Sequence, residues 1–402
     1  MQKVTALKAG LGAATALALS LGVMTPAHAD VQPTSSDAVG VGSDTVQYVD
    51  NFLDDGQSFL AVPALGFNTI SKPRIFSFDA SGDANGRAAY QSGTTTPLSA
   101  TVVLRAGTKP QTRPNGSSAG ITALLNDTTH KIDFARSSRA PKSSECTTGQ
   151  ANFGGLHDYK IATDGMQLAV NNITTNVPAG NPATIVPTTL TKPMLTDIYS
   201  NTAGTHSGIN TWAQLEAAYP GSTASIPAGQ LNDGIVPIAP QDGSGTLNDF
   251  LSDLGIPSSA AFKSSVVRSE EHDPVAINNI PTGNDVNGNP RDAADALAPF
   301  STGRFNLIEA TTVPAGGYFS ASTPQHTIAL LPTSTYFFAR TFHILVREND
   351  RTSTTPFVAG TSVNLVNTFF GTATSWYAKN SNASLYTAAG VTKAYQDLGV
   401  CV

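Results

Sequence analysis

Apolar positions recur along this chain at helical spacing, and a turn of small residues precedes three of these runs. In the stretch Gln241 to Phe250, QDGSGTLNDF, a Gly-Ser-Gly-Thr run opens into Leu247, Phe250, Leu251 and Leu254, which share one helical face. Thr246 stands where an N-cap belongs, Asp249 falls where a negative charge suits the dipole, and Gly255 supplies a stop. Gly42-Ser43-Asp44-Thr45 leads in the same way into Val46, Val49, Phe52 and Leu53, with Gly56 as the stop. Gly116-Ser117-Ser118-Ala119-Gly120 opens Ile121, Leu124 and Leu125. A glycine-rich turn lets bare backbone approach a ligand, and the first N–H groups of a helix have no partner inside it. Each of the three starts is therefore a candidate anion site. Taken singly, each is also an ordinary capped helix.

Between these helices lie strand-like runs. Ile75–Phe78 and Thr101–Leu104 read as short strands separated by a turn-rich segment. Within that segment Asp79, Ser81, Asp83 and Asn85 resemble part of a calcium loop, but Ala84 and Tyr90 take the places of the required glycine and glutamate, so it reads as a loop. Ile132–Ala135 is strand-like and ends in Arg136-Ser137-Ser138-Arg139, a hydroxyl pair between two guanidinium groups that can all donate to an oxyanion. Solvated rim arginines are the alternative. Gln167–Val170 and Ile235–Ile238 are further strands, Leu195, Ile198 and Tyr199 lie at helical spacing, and Thr341–Arg347 is strongly apolar. Residues 273–293 read as a long surface connection, and Val363, Val366, Asn367 and Phe370 as a late helix stopped by Gly371. The alternation predicts an α/β architecture with largely parallel sheets, in which ligands bind at the carboxyl ends of strands.

Composition narrows the picture. Lys3 and Lys8, the apolar stretch Leu11 to Val23 and Ala27-His28-Ala29 have the order of a secretory signal peptide, with cleavage after Ala29. No cysteine precedes Cys146, so the signal has no cysteine to carry a lipid, and no later apolar run is long enough to span a bilayer. These features predict a secreted, extracellular protein. The whole chain carries a formal charge of −6, and losing both signal lysines makes the mature protein more acidic still. Charged residues are only 13%, without polybasic patches, which argues against a nucleic-acid partner. The 402 residues exceed the size at which single cores stop growing, so two lobes are the default. Two cysteines in an exported chain suggest one disulfide, Cys146 to Cys401, with two free thiols as the alternative.

The motifs GSDT, GSSAG, IDFARSSRAP and QDGSGT, in that order, resemble the phosphate-binding periplasmic proteins of ABC transporters. Gly165 to Asn171 looks like that family's crossover strand between lobes, the run from Leu190 through Asp197-Ile198-Tyr199 to Trp212 like its second-lobe helix motif, and Thr341–Arg347 like its returning strand. The resemblance implies a two-lobed type II periplasmic-binding fold: lobe I over 41–163, lobe II over 164–335 and the rest of lobe I over 336–402, after a signal at 1–29 and a mobile tail at 30–40. It also implies a monomer that closes on a small oxyanion such as phosphate, needs no cofactor or metal, and serves an ABC transporter permease. Carried onto this chain, Ser43, Thr45 and Val46 contact the ligand from lobe I, Ser117 and Ser118 add a hydroxyl and backbone donors, and Ser244, Gly245 and Thr246 form the second-lobe cradle.

Two positions depart from the family. Ser138 stands where phosphate binders place an aspartate, and Pro240 where they place an arginine, leaving Asp242 without its usual partner. Arg136 or Arg139 could supply the lost charge. The departures imply loose selection and modest affinity, and they keep alive a surface module that retained the fold and lost the ligand. Gly116-Ser117-Ser118-Ala119-Gly120 also satisfies G-x-S-x-G, so a secreted serine esterase using Ser118 is the third reading, although no strand leads directly into the turn as a nucleophile elbow requires. The signal-peptide reading is checked by N-terminal mass spectrometry of protein recovered from culture medium: the chain should begin at Asp30, and an N-terminus at Met1 refutes it.

Overall fold

The computed structural model describes residues 33–57, 64–70, 74–80, 101–309, 327–352 and 365–401. The signal-peptide reading, the calcium-like positions Ser81, Asp83, Asn85 and Tyr90, and Val363 lie outside them. No helix among the described residues is long and apolar enough to cross a membrane.

The elements that position the site are, in chain order, β1 (Ala38–Gly42), α1 (Asp44–Asp55), β2 (Ile75–Ser77), α2 (Ser117–Asn126), β3 (Phe134–Ser137), α3 (Ser143–Phe153), β4 (Leu156–Asn171), α4 (Lys192–Tyr199), α5 (Trp212–Ala218), β5 (Val236–Pro240), α6 (Gly245–Leu254), β6 (Val267–Ser269), β7 (Ala296–Ser301), α7 (Thr302–Glu309), β8 (Ile328–Leu330), β9 (Phe338–Arg347) and β10 (Thr392–Cys401). Among the described residues the strands form one 10-stranded sheet ordered β6-β5-β7-β4-β9-β3-β1-β2, with β8 and β10 also paired to β4. The wings are parallel, since β1 pairs in parallel with β2 and β3, and β5 with β6 and β7. The centre is antiparallel, which corrects the expectation of largely parallel sheets: β4 runs against β7, β8, β9 and β10. The 16 residues of β4 pass unbroken from one wing to the other, and their near-continuous burial follows from having neighbours along both halves.

Strand alternation divides the core. Val39 and Val41 of β1 pack with Leu124, Leu156 and Leu345, while Ala38 joins the cluster of Phe52, Phe134 and Tyr159. Ala38 to Gly40 are buried strand, so the mobile tail expected over 30–40 ends before them. The Thr101 strand is shorter than expected and lies outside the main sheet, pairing with Gln111–Thr112 as a separate ribbon. The supposed surface connection at 273–293 contains the helix Pro274–Asn278 with Ile277 buried, because it covers the end of β7. The late helix occupies Leu365–Phe369.

Cys146 on α3 and Cys401 on β10 form a disulfide, with their Cα atoms 5.4 Å apart. It ties the end of the chain to the helix just before β4. In the chain-entropy account a loop of 255 residues contributes about 5.5 kcal/mol. Alkylation of denatured, unreduced protein should add no mass, and Cys146→Ala with Cys401→Ala should lower the urea midpoint markedly; an unchanged midpoint would show that β10 holds without the bond.

Candidate functional site

The three small-residue turns sit at the carboxyl ends of parallel strands, or beside them, and meet. The Ser118 N–H donates to Gly243 O at 3.1 Å, joining the turn before α2 to the turn before α6. Thr45 Oγ1 on α1 lies 3.3 Å from Thr246 Oγ1 on α6. A Cβ at Gly245 would overlap Ser138 Oγ and Ser117 Oγ, so only glycine lets α6 start this close to α2 and β3. Gly42 is required for a second reason: its φ is 122°, and a Cβ would lie 2.6 Å from Arg136 O. The cap of α6 is Ser244, whose Oγ accepts from Leu247 N at 3.0 Å, and not Thr246 as the spacing suggested. That two-residue shift leaves the Thr246 hydroxyl to face the other turns.

Thr246 Oγ1 is the centre of the cluster. Arg340 Nη1 on β9 donates to it at 2.7 Å, and His272 Nε2 lies 3.2 Å from it and 3.0 Å from Thr45 Oγ1. The Ser301 N–H donates to His272 Nδ1 at 3.2 Å, so a neutral imidazole carries its proton on Nε2 and donates toward the hydroxyls. His272 has a φ of 60°, a strained backbone for a non-glycine residue that sets its ring among the turns. Arg340 is positioned by Asp164 of β4, whose Oδ2 accepts from Arg340 Nε at 2.9 Å and from Ser301 Oγ at 2.8 Å, while Oδ1 accepts the Gly303 N–H at the start of α7. Glu271 accepts from Ser244 Oγ at 2.5 Å. Burial pushes its carboxyl up, the nearby Asp44 adds to this, and the Ser244 and Thr246 hydroxyls pull the other way. Asp44 is 3.7 Å from Arg304, whose guanidinium stacks over Tyr48.

The residues singled out from sequence fall into two groups. Thr45, Ser117, Ser138, Ser244, Gly245 and Thr246 are buried and adjoin one another; Ser117 Oγ accepts from Ser138 N at 3.0 Å. Ser43, the cap position of α1, is buried, and its Oγ has no hydrogen-bond partner among the described residues. Val46 is core. Neither arginine of the third motif behaves as a free cation. Arg136 donates to Ser43 O and Gly42 O at 3.2 Å each and to Ser77 Oγ at 2.5 Å, so it braces the turn before α1. Burial lowers its pKa, with Asp50 and Asp79 opposing. Arg139 forms a two-toothed pair with Glu145 at 2.9 and 2.7 Å and donates to Ser118 Oγ at 2.8 Å. Asp242 has found Arg268, at 2.8 Å, in place of an arginine at position 240.

Sequence reading passed over Asp44, Asp164, Glu271, His272, Arg304 and Arg340. Glu271 and His272 had one visible signal, the run Ser269-Glu270-Glu271-His272-Asp273 beside a strand; Arg340 and Asp164 had none, because only strand pairing brings them together. Asp44, Glu271 and His272 each offer one ligand atom within 4.8 Å of the others. The His272 tautomer does not suit a metal there, since Nδ1 is occupied by Ser301 N–H and Nε2 bears the proton. A cavity of about 10 Å³ beside Glu271, His272 and Phe300 is of one-water size. The larger opening, about 540 Å³, lies at Asp233, Asn284 and Arg291, and none of the converging turns lines it.

The family described as PBP superfamily domain matches residues 72–360. The chain belongs to the PBP superfamily. As a member it has an α/β fold, here with the strand β4 shared between the two wings of the sheet. No curated protein matches the chain. Among solved structures, a putative phosphate ABC transporter substrate-binding protein with bound phosphate from Clostridium perfringens is similar at 15% identity, covering 89% of this chain and 99% of that one with a TM-score of 0.47. An ABC-type phosphate transport receptor from Vibrio cholerae is similar at 16% identity, covering 89% of this chain and 100% of that one with a TM-score of 0.45.

The bracing role of Arg136 in this superfamily member is testable. Arg136→Met strands Gly42 O, Ser43 O and nearby buried carboxylates, and should destabilise by about 3–5 kcal/mol in urea unfolding. A loss below about 1 kcal/mol would show that the guanidinium is not needed for the turn.

Proposed function

We propose that this protein is a secreted solute-binding protein that captures a small oxyanion, phosphate foremost, between the turns before α1 and α2 on one side and the turn before α6 on the other. The observation that carries this reading is the meeting of three helix N-termini, with Thr45 within 3.3 Å of Thr246 and Ser118 bonded to Gly243. Helix starts offer unpaired N–H groups and a positive dipole end. To these the site adds the hydroxyls of Ser43, Thr45, Ser117, Ser138 and Thr246, the His272 Nε2–H and the Arg340 guanidinium. An acidic protein repels anions at long range, so capture depends on these local donors. Membership of the PBP superfamily and the four ordered motifs support the same assignment. The captured ion is then delivered to a membrane permease.

The esterase reading is weakened by the surroundings of Ser118. Its hydroxyl accepts a hydrogen bond from Arg139, and a guanidinium cannot take a proton from a nucleophile. Thermal-shift measurements on mature protein with phosphate, sulfate, molybdate and carboxylates test the proposal. Phosphate at 100 times its Kd should stabilise by about 2.7 kcal/mol, and Thr45→Val with Thr246→Val should remove the shift. No shift with any oxyanion would favour the surface module that has lost its ligand.

A further inference from the structure

We propose a second ligand site at the end of the sheet opposite the converging turns: the opening bounded by Gln230, Asp233, Arg291 and Asp292 takes a small organic monocation whose amine is flanked by hydroxyl oxygens, an amino sugar in chemical class. The proposal is independent of the oxyanion reading, because the opening shares no residue with those turns.

Strand direction separates the two places. Asp233 lies just before β5, and Asp292 just before the short turn into β7, so both stand at the amino ends of parallel strands; the turn before α6 follows the carboxyl end of β5. The five residues of β5 put roughly 16 Å between those ends, at about 3.3 Å each. The opening measures about 540 Å³, within the roughly 300–1,000 Å³ usual for small-molecule sites. One wall is the two-stranded ribbon of Gly283–Asn284 and Pro290–Arg291, which the Gly234 N–H ties to the approach of β5 by donating to Pro290 O at 2.6 Å. The segment 227–233 and the loop at Pro178 and Asn181 complete it.

The polar groups lining this opening are buried and unspent. Gln230 is only 7% exposed, and its Nε2 donates to no acceptor among the described residues. Arg291 Nε is likewise buried without an acceptor. Burial and then the neighbouring Asp292 push the Asp233 carboxyl up to about 6, and no hydrogen bond or cation pulls it back. Asp292 is itself buried and accepts from Ala294 N at 2.7 Å. Buried donors without acceptors are satisfied by ligand oxygens, and adjacent carboxylates by a ligand cation. Two carboxylates and one guanidinium leave one negative charge, which a monocation balances and a zwitterion does not. A neutral sugar would leave Asp233 and Asp292 repelling each other. The carboxylates are not part of a three-ligand metal set, since the one such cluster among the described residues is Asp44, Glu271 and His272. An ammonium, with three donors, suits them better.

The charged or titratable groups around Asp233 are Asp292 and Arg291 at the ribbon and Asp295 in the turn into β7. Asp295, pushed up to about 8, keeps its proton below neutral pH, and Asp285 of the ribbon spends Oδ1 on Asn287 N and Asn289 N at 2.8 Å each. The cation needs Asp233 ionised. Going from pH 7 to pH 5 lowers the ionised share of a group titrating near 6 from about nine-tenths to about one-tenth, so affinity should fall about tenfold.

Calorimetry with glucosamine, N-acetylglucosamine and glucose at physiological ionic strength tests the site on wild type, Asp233→Asn and Gln230→Leu. Wild type at pH 7 should bind glucosamine at least tenfold more tightly than either neutral sugar, and about tenfold more weakly at pH 5. Asp233→Asn should weaken glucosamine at least tenfold and Gln230→Leu severalfold, while the thermal shift with phosphate stays as in wild type. Equal binding of the three sugars overturns the monocation assignment. No glucosamine binding at millimolar concentration overturns the site, and unchanged affinity in folded Asp233→Asn overturns its placement. Should the variants not fold, amide resonances of wild type replace them: those of Gly229, Gly283 and Arg291 should move on titration with glucosamine, and movement confined to other residues overturns the proposal.

Discussion

The ion pair between Asp164 and Arg340 is the constraint on which the site depends. The two residues face each other across the central strands β4 and β9. Both are nearly fully buried, where taking two charges out of water costs several kcal/mol per ion and is offset only by good geometry and further hydrogen bonds. Those bonds are present. Asp164 also accepts from Ser301 Oγ and Gly303 N, which anchors the start of α7, and Arg340 reaches Thr246 on α6. One pair thereby registers the strands shared by both wings and fixes the position of a cation beside the converging turns.

The turns themselves are held by a different device on each side. On the β1 side Arg136 commits its guanidinium to the carbonyls of Gly42 and Ser43, which lets the chain reverse tightly into α1. On the α6 side Ser244 caps the helix and donates its own proton to Glu271. Between them Gly245 removes the Cβ that would keep the two sides apart. Buried polar groups of this kind are costly unless satisfied, and here Arg136, Ser244 and Arg340 each find an acceptor on another element. The cluster is consequently sensitive to the relative placement of α1, α2, α6 and β9.

His272 shows how the loop after β6 enters this arrangement. Its left-handed backbone and the Ser301 N–H on Nδ1 fix both the direction of the ring and the nitrogen that carries the proton. The tautomer makes the residue a donor, which suits an anion and disfavours a metal at the same place. Glu271, its neighbour in sequence, brings the opposite character to the cluster.

Local sequence was enough to determine the helix running from Ser43 to its stop at Gly56, the helix start after Gly116, the strands at Ile75, Phe134 and Val236, and the pairing of the two cysteines. Those features depend on spacing, on glycine at turns and on the count of thiols, all of which a linear chain displays. It also identified the turns that meet, since their small residues are unusual before an apolar helical face. Which cation and which carboxylate stand beside those turns was decided only by tertiary structure. Arg340 and Asp164 are 176 positions apart and meet through antiparallel strand register, while the arginines written next to the motif, Arg136 and Arg139, were taken up by backbone carbonyls and by Glu145. Strand centre and wing likewise differ in direction because β4 is shared, a property of how the sheet is assembled and not of any one strand's pattern. A side chain's type can be read from the sequence, but the partner it satisfies depends on which buried groups folding brings within about 3 Å of it.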